Sequence, residues 1–196
     1  MVLFYILIFA FGTIIGSFLN VIIYRLNTGE SILKGRSHCS FCSKKLVWYE
    51  LIPIISFVIQ LGECRNCHKK ISWQYPIVEV STGLIFLLIS NFSRQGGIPL
   101  SGTIFQFSNL IFLFYVASAL IIIFIYDFKH YIIPDRILFP AIGVALIYRV
   151  IFNFQSLPNF LLAVIIAAGF FLAIFLVSKG RWMGFGDVKL AVLMGL

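Results

Sequence analysis

Leu110-Ile-Phe-Leu-Phe-Tyr-Val-Ala-Ser-Ala-Leu-Ile-Ile-Ile-Phe-Ile-Tyr126-Asp127 is an unbroken apolar run that stops on an aspartate. Read back to Thr103, the run carries no charged residue before Asp127. At 1.5 Å per residue, roughly 20 residues cross the ~30 Å of a bilayer's hydrocarbon, so this stretch is long enough to span. A carboxylate at the edge of that layer is costly to keep and is read by default as functional.

The rest of the chain repeats the pattern. Of its 196 residues, 61% are hydrophobic and 11% charged, against about 45–50% and 25% in an ordinary soluble domain. An integral membrane protein follows. Besides Thr103–Tyr126, spans are expected at Val2–Tyr24, Pro76–Phe92, Ile137–Phe152 and Phe160–Val177. The first is not a removable signal, because it lacks a basic start and a small-residue cleavage site. Val188–Leu196 is apolar but too short to cross, and reads as the start of a sixth helix in a chain cut short. The expected class is therefore an all-α polytopic membrane protein with about five complete transmembrane helices and part of a sixth. It divides into a first helix (1–25), a polar loop domain (26–75) and a membrane domain (76–196). Inside the loop, the apolar run Leu51–Leu61 is too short to span and is expected to be a short buried or interfacial helix.

Net charge is +8. In a membrane protein, lysine and arginine report topology before they report nucleic acid, and no nucleic-acid partner is expected. Residues 25–75, 127–136 and 178–189 hold 8, 2 and 3 of the 15 Lys and Arg residues, leaving Arg94 and Arg149 outside. Alternating spans put those three regions on one side. The positive-inside rule makes that side cytosolic, with the N-terminus outside. The chain has three aspartates, Asp127, Asp135 and Asp187, and all fall on this face.

Asp187 lies in Gly184-Phe-Gly-Asp187. Glycines there let backbone approach an extended substrate or adopt unusual turns. Two carboxylates brought together cannot both ionise easily, so they share a proton. One then takes a proton from water while the other polarises a carbonyl, the chemistry of an aspartic protease. The same pair also suits a proton-carrying transporter. Asp135, after Ile133-Pro134 and before an apolar run, is expected to cap a helix N-terminus.

The loop carries an internal repeat. Cys39-Ser-Phe-Cys42-Ser-Lys-Lys-Leu-Val-Trp48 aligns with Cys64-Arg-Asn-Cys67-His-Lys-Lys-Ile-Ser-Trp73. Two C-x-x-C knuckles supply the four thiolates of a structural zinc ribbon, with the tryptophans expected to cover it. Such a loop also fits a membrane scaffold or assembly factor without protease activity. His38 and His68, beside the knuckles, are expected to be bystanders.

Gly16-Ser-Phe-Leu-Asn-Val-Ile-Ile-Tyr-Arg25, Gly35-Arg-Ser, the paired cysteines, Trp48-Tyr-Glu-Leu-Ile-Pro53, Ile71-Ser-Trp-Gln-Tyr-Pro-Ile-Val-Glu79 and Asp127 to Ile-Pro-Asp135 follow in order. Together with Gly184-Phe-Gly-Asp187, these blocks resemble the bacterial type IV prepilin peptidases, GxGD-type intramembrane aspartic proteases. The resemblance implies cleavage of a prepilin or pseudopilin leader after its glycine, at the cytosolic face of the bacterial inner membrane. It also implies methylation of the new N-terminus with S-adenosylmethionine. It makes Asp127 and Asp187 the catalytic pair, with Gly184 and Gly186 in support. Glu79, one turn into a span, is the candidate for cofactor binding, while Asn20 and Arg25 read as an interhelical hydrogen bond and a membrane-edge anchor.

Overall fold

A computed structural model describes residues 2–31, 35–95 and 103–196. Among the described residues, all regular structure is helical. There are seven α-helices: α1 (Val2–Thr28), α2 (Ile55–Ile59), α3 (Gln74–Gln95), α4 (Thr103–His130), α5 (Asp135–Phe152), α6 (Leu157–Ser178) and α7 (Phe185–Gly195). Four of them, α1, α3, α4 and α6, are long and apolar enough to cross a membrane. The expected fourth span corresponds to α5, whose 18 residues include Asp135, Arg136 and Arg149. The helices are longer than the apolar runs that announced them: α1 continues four residues past Tyr24, and α4 carries Asp127 in its last turn. Hydropathy marks where side chains leave the hydrocarbon, whereas a helix continues until its backbone is capped or broken.

The chain forms two compact units, residues 1–100 and 101–196. In the first, α1 and α3 pack antiparallel. Gly12 and Gly16, one turn apart, let the backbones meet. A Cβ on Gly12 would lie 2.7 Å from the Gly83 Cα, and one on Gly16 would lie 2.8 Å from the Glu79 Cα. In lipid, where apolar contact alone does not drive helices together, such close approach and polar cross-links hold a pair. Asn20 supplies the polar link: fully buried, it donates to the Tyr75 carbonyl and accepts from the Gln74 amide. The interhelical role expected of Asn20 is what it performs.

In the second unit the core joins α4, α5 and α7. Phe112, Ala119 and Ile123 meet Leu138, Ala141, Ala145 and Tyr148, together with Leu193. The Phe112 and Tyr148 rings stack 4.0 Å apart and within 3° of parallel. Along α6 no apolar side chain is fully buried: Val164 packs against this core and Phe175 against Phe185 of α7, while Ile165, Ile166, Phe170 and Val177 are exposed.

Candidate active site and metal centre

Pro134 sets the corner between α4 and α5. It has no N–H to give and holds Ile133 extended, so the chain leaves α4 at His130, crosses residues 131–134 and restarts at Asp135. Asp127 sits half-buried in the last turn of α4. A helix C-terminus disfavours an acid, and Lys129 and His130 in the same turn offset it. Asp127 is thus badly placed as a structural cap. Asp187 is half-buried in the first turn of α7, the end at which a carboxylate is favoured. Gly184 is the residue before that helix, and the Asp187 carboxylate folds back over it, Oδ2 lying 3.9 Å from where a Cβ would stand. Neither carboxylate forms a side-chain hydrogen bond or ion pair with another described residue.

Two contacts bring the segments bearing these aspartates together. Gly186 lies against Ile133, in the connector that follows Asp127; a Cβ at 186 would fall 3.1 Å from the Ile133 Cβ. Lys189 Nζ then reaches both carboxylate oxygens of Asp135, at 2.8 and 2.9 Å. It also lies 5.3 Å from the Phe139 ring centre and 5.5 Å from that of Phe185, within cation–π range. The first turn of α7 is thereby seated on the α4–α5 corner.

Asp135 is not the cap its sequence position suggested. It is the first residue of α5, Pro134 holds the cap position, and no side-chain cap bond forms. Its carboxylate turns to Lys189 instead, because a cation across the corner offers two charge-assisted bonds. Lys189 is the residue that sequence reasoning missed. It had counted only as a topology charge, although its place two residues after Asp187 was a usable signal.

In the first unit the four cysteines converge. Their sulfurs all lie within 4.8 Å of one another, with Cys39 and Cys67 at 3.9 Å. Tetrahedral zinc with ~2.3 Å Zn–S bonds needs sulfurs about 3.8 Å apart, so the set fits. The sequence repeat is also a repeat of backbone bonds. Cys39 N–H reaches the Lys44 carbonyl at 3.0 Å, and Cys64 N–H reaches that of Lys69 at 2.9 Å. Ser43 and His68, at matching positions, close each knuckle with φ of 55° and 54°. The Lys44 backbone N–H, then the Asn66 amide, hold the Cys42 thiol down to about 6. For Cys67 the Lys69 N–H pulls down, but burial and the other three sulfurs outweigh it and push the thiol up to about 11. Four thiolates around one ion would leave no position for water, which suits a structural site.

The tryptophans do not cover this site. Trp48 and Trp73 are 76% and 70% exposed; Trp48 meets Tyr49 and Trp73 meets Phe57 instead. Each sits past its knuckle, where the chain is already entering the next helix. His38 lies 3.9 Å from Glu30 and His68 is exposed. Arg25 is more than an edge anchor. Almost fully buried, it donates to the carbonyls of Ser31 and Gly35 and gathers the loop before the first knuckle. Two buried acids accept hydrogen bonds from backbone N–H groups earlier in the chain: Glu50 from that of Val47 at 3.0 Å, and Glu79 from that of Ile54 at 2.7 Å.

Comparison with known proteins follows the same division. Residues 10–92 match the Bacterial Peptidase A24 N-terminal domain, and 113–196 match the Type IV leader peptidase family. The chain belongs to the type IV leader peptidase family. It is 35% identical over 190 residues to a prepilin leader peptidase/N-methyltransferase of Bacillus subtilis, covering 96% of this chain and 71% of that relative. Relatives of the same name from Myxococcus xanthus and Vibrio cholerae are each 31% identical. The matches cover 98% and 97% of this chain, and 56% and 76% of the relatives' lengths. No solved structure matches. Its apolar helices make this member of the family a multi-pass membrane protein.

Proposed function

We propose that this chain cleaves the leader from type IV prepilins and pseudopilins and then N-methylates the new terminus, with Asp127 and Asp187 as the water-activating pair. One observation carries the assignment of the pair: Gly186, beside Asp187, lies in van der Waals contact with Ile133 in the connector that leaves Asp127. The ionised member draws a proton from water, while the protonated member donates to the scissile carbonyl oxygen. The water oxygen bonds to the carbonyl carbon. On collapse the C–N bond breaks, the amine takes the proton that came from water, and the carboxylate that gave its proton recovers it from the intermediate's hydroxyl. Gly184 leaves room beside the Asp187 carboxylate for an extended substrate backbone, while Gly186 supports the pair by letting Ile133 pack against the turn.

Lysine and arginine counts support a cytosolic location at the bacterial inner membrane for the cysteine loop and both aspartates, with the N-terminus outside. A prepilin is itself a membrane helix with a short cytosolic leader, so its cleavage point lies at the same interface. The zinc-ribbon-like loop, residues 26–75, would hold Zn²⁺ through Cys39, Cys42, Cys64 and Cys67. S-adenosylmethionine would supply the methyl group, and Glu79 offers a buried carboxyl, already bonded to the Ile54 N–H, to hold its positive charge.

The test is to assay prepilin cleavage in membranes with Asp127→Asn and, separately, Asp187→Asn. Each should lower the rate by at least ~10³-fold, since loss of either member removes proton transfer from the reaction. A variant that still cut at the unmutated rate would remove that residue from the pair, and the transporter or scaffold alternatives would return.

A further inference from the structure

The segment joining the two cysteine knuckles is apolar where a connecting loop is ordinarily polar. Leu51, Ile55, Val58, Ile59 and Leu61 are all exposed, Val58 at 62% and Leu61 at 88%. Helix α2 contributes no buried residue to its own unit. Elsewhere in the cysteine loop such exposure would be unfavourable in water. The segment is, however, tied to a membrane span.

The tie is Glu79. Its Oε2 accepts the Ile54 N–H at 2.7 Å. Glu79 is the sixth residue of α3, so it stands about 7 Å along the helix from its start. The 22 residues of α3 measure about 33 Å, little more than the ~30 Å hydrocarbon they cross. Centred on that layer, α3 would carry Glu79 about 6 Å inside the hydrocarbon edge, and with it the bound Ile54. The backbone around it makes sense only with that acceptor. Pro53 has no N–H, and Ile54 adopts φ 61° and ψ −53°, which a β-branched residue avoids. A bare N–H at that depth has no water to turn to and must find a partner in the protein. Phe57 gives a second tie, packing on Trp73 with ring centres 5.0 Å apart. On the spans of the same unit, Ile77 of α3 and Phe18 of α1 are exposed as well. In sequence the segment is flanked by Trp48, Tyr49 and Trp73, residue types that favour an interface, and by Lys44, Lys45, Lys69 and Lys70.

We propose that residues 51–61 are an interfacial wedge whose occupant is the bilayer: the apolar face lies in the headgroup–acyl boundary, and the Glu79 carboxylate anchors it there. The wedge holds both knuckles at the membrane surface, and it stands or falls independently of the peptidase assignment. Attraction of the flanking lysines to anionic headgroups adds to the apolar term.

The test uses the full chain in phosphatidylcholine vesicles, with Trp48, Trp73 and Trp182 replaced by Phe and Val58→Trp as the sole tryptophan. Acyl chains brominated near the glycerol should quench its emission at least ~2-fold relative to unbrominated lipid, while Ser43→Trp on a knuckle should be unaffected. Equal Val58→Trp emission in the two lipids overturns the wedge, whether water or a second copy of the chain covers that face. Glu79→Ala should then reduce the quenching and Glu79→Gln should keep it, because the amide oxygen still accepts from Ile54. Undiminished quenching in Glu79→Ala would overturn the anchoring role.

Discussion

Lys189 and Asp135 form a pair whose energetic value and geometric value differ. Lys189 is 25% exposed and Asp135 52%, and a pair so open to solvent contributes little to stability, on the order of 0–1 kcal/mol. Its effect lies in position, because a lysine two residues after Asp187 fixes how the first turn of α7 meets α5. Lys189→Met should therefore lower the cleavage rate about tenfold, the cost of a small displacement of a reacting group. Its midpoint of thermal unfolding should stay within about 2 °C of the parent. Asp135→Asn keeps an oxygen facing the ammonium and should retain most activity, whereas Asp135→Ala should behave like Lys189→Met. Cleavage kinetics and a melting curve on the three variants check this, and equal rates in all of them would make the pair incidental. At this scale the sequence was partly legible. Scarcity of acids singled out Asp127 and Asp187, but the partner chosen by Asp135 depends on a fold that brings residues 135 and 189 together. Local rules for helix starts cannot see it.

Among the elements, the knuckles were the most legible, because a repeat of ten residues encodes the same turn twice and the turn itself sets the cysteine spacing. The tryptophans at the end of each repeat were misread for the opposite reason: their contacts are made with Tyr49 and Phe57, outside the repeat. Protonation gives the metal site a pH dependence. Cys42, lowered to about 6 from an ordinary 9.0, is a thiolate at neutral pH; what it contributes to the folded loop is present at higher pH and is lost as pH falls through 6. Cys67, at about 11, must give up its proton for metal to bind. Zinc uptake at neutral pH should therefore release protons, and bound zinc should be lost steeply below about pH 6. A chromophoric chelator titrated against purified protein reads both, and retention unchanged down to pH 4 would contradict it. Helix packing supplies the next test. A side chain at Gly12 meets the Gly83 backbone, which has no rotamer by which to yield. Gly12→Val should destabilise the α1–α3 pair by about 1–3 kcal/mol, seen as earlier thermal unfolding in detergent. A lone glycine in an apolar run gives no such warning; Gly12 and Gly16 one turn apart did, once α3 was known to face them.

The two compact units, split at residue 100, nearly coincide with the two matched families, 10–92 and 113–196. Sequence alone drew the boundary at 76, because a polar loop followed by apolar spans looks like a change of domain. Helix α3 nonetheless packs with α1 through Gly12, Gly16 and Asn20, and that pairing is a long-range property absent from hydropathy. The division bears on how two reactions share one chain. Asp127, Asp187 and the residues that seat them all belong to the second unit, whereas Glu79 and the cysteines belong to the first. In the proposed assignment hydrolysis needs both aspartates, but methyl transfer to an amine already released does not. Asp127→Asn and Asp187→Asn should therefore still methylate a pilin supplied in its cleaved form, at a rate within about twofold of the parent. Glu79→Ala should do the reverse, cutting prepilin while methylating the cleaved product at least ~10-fold more slowly. Radiolabel transfer from S-adenosylmethionine to pre-cleaved pilin, run beside a gel assay of cleavage, separates the two. Loss of both activities in every variant would mean that one site serves both reactions, and the assignment of one unit to each would fail.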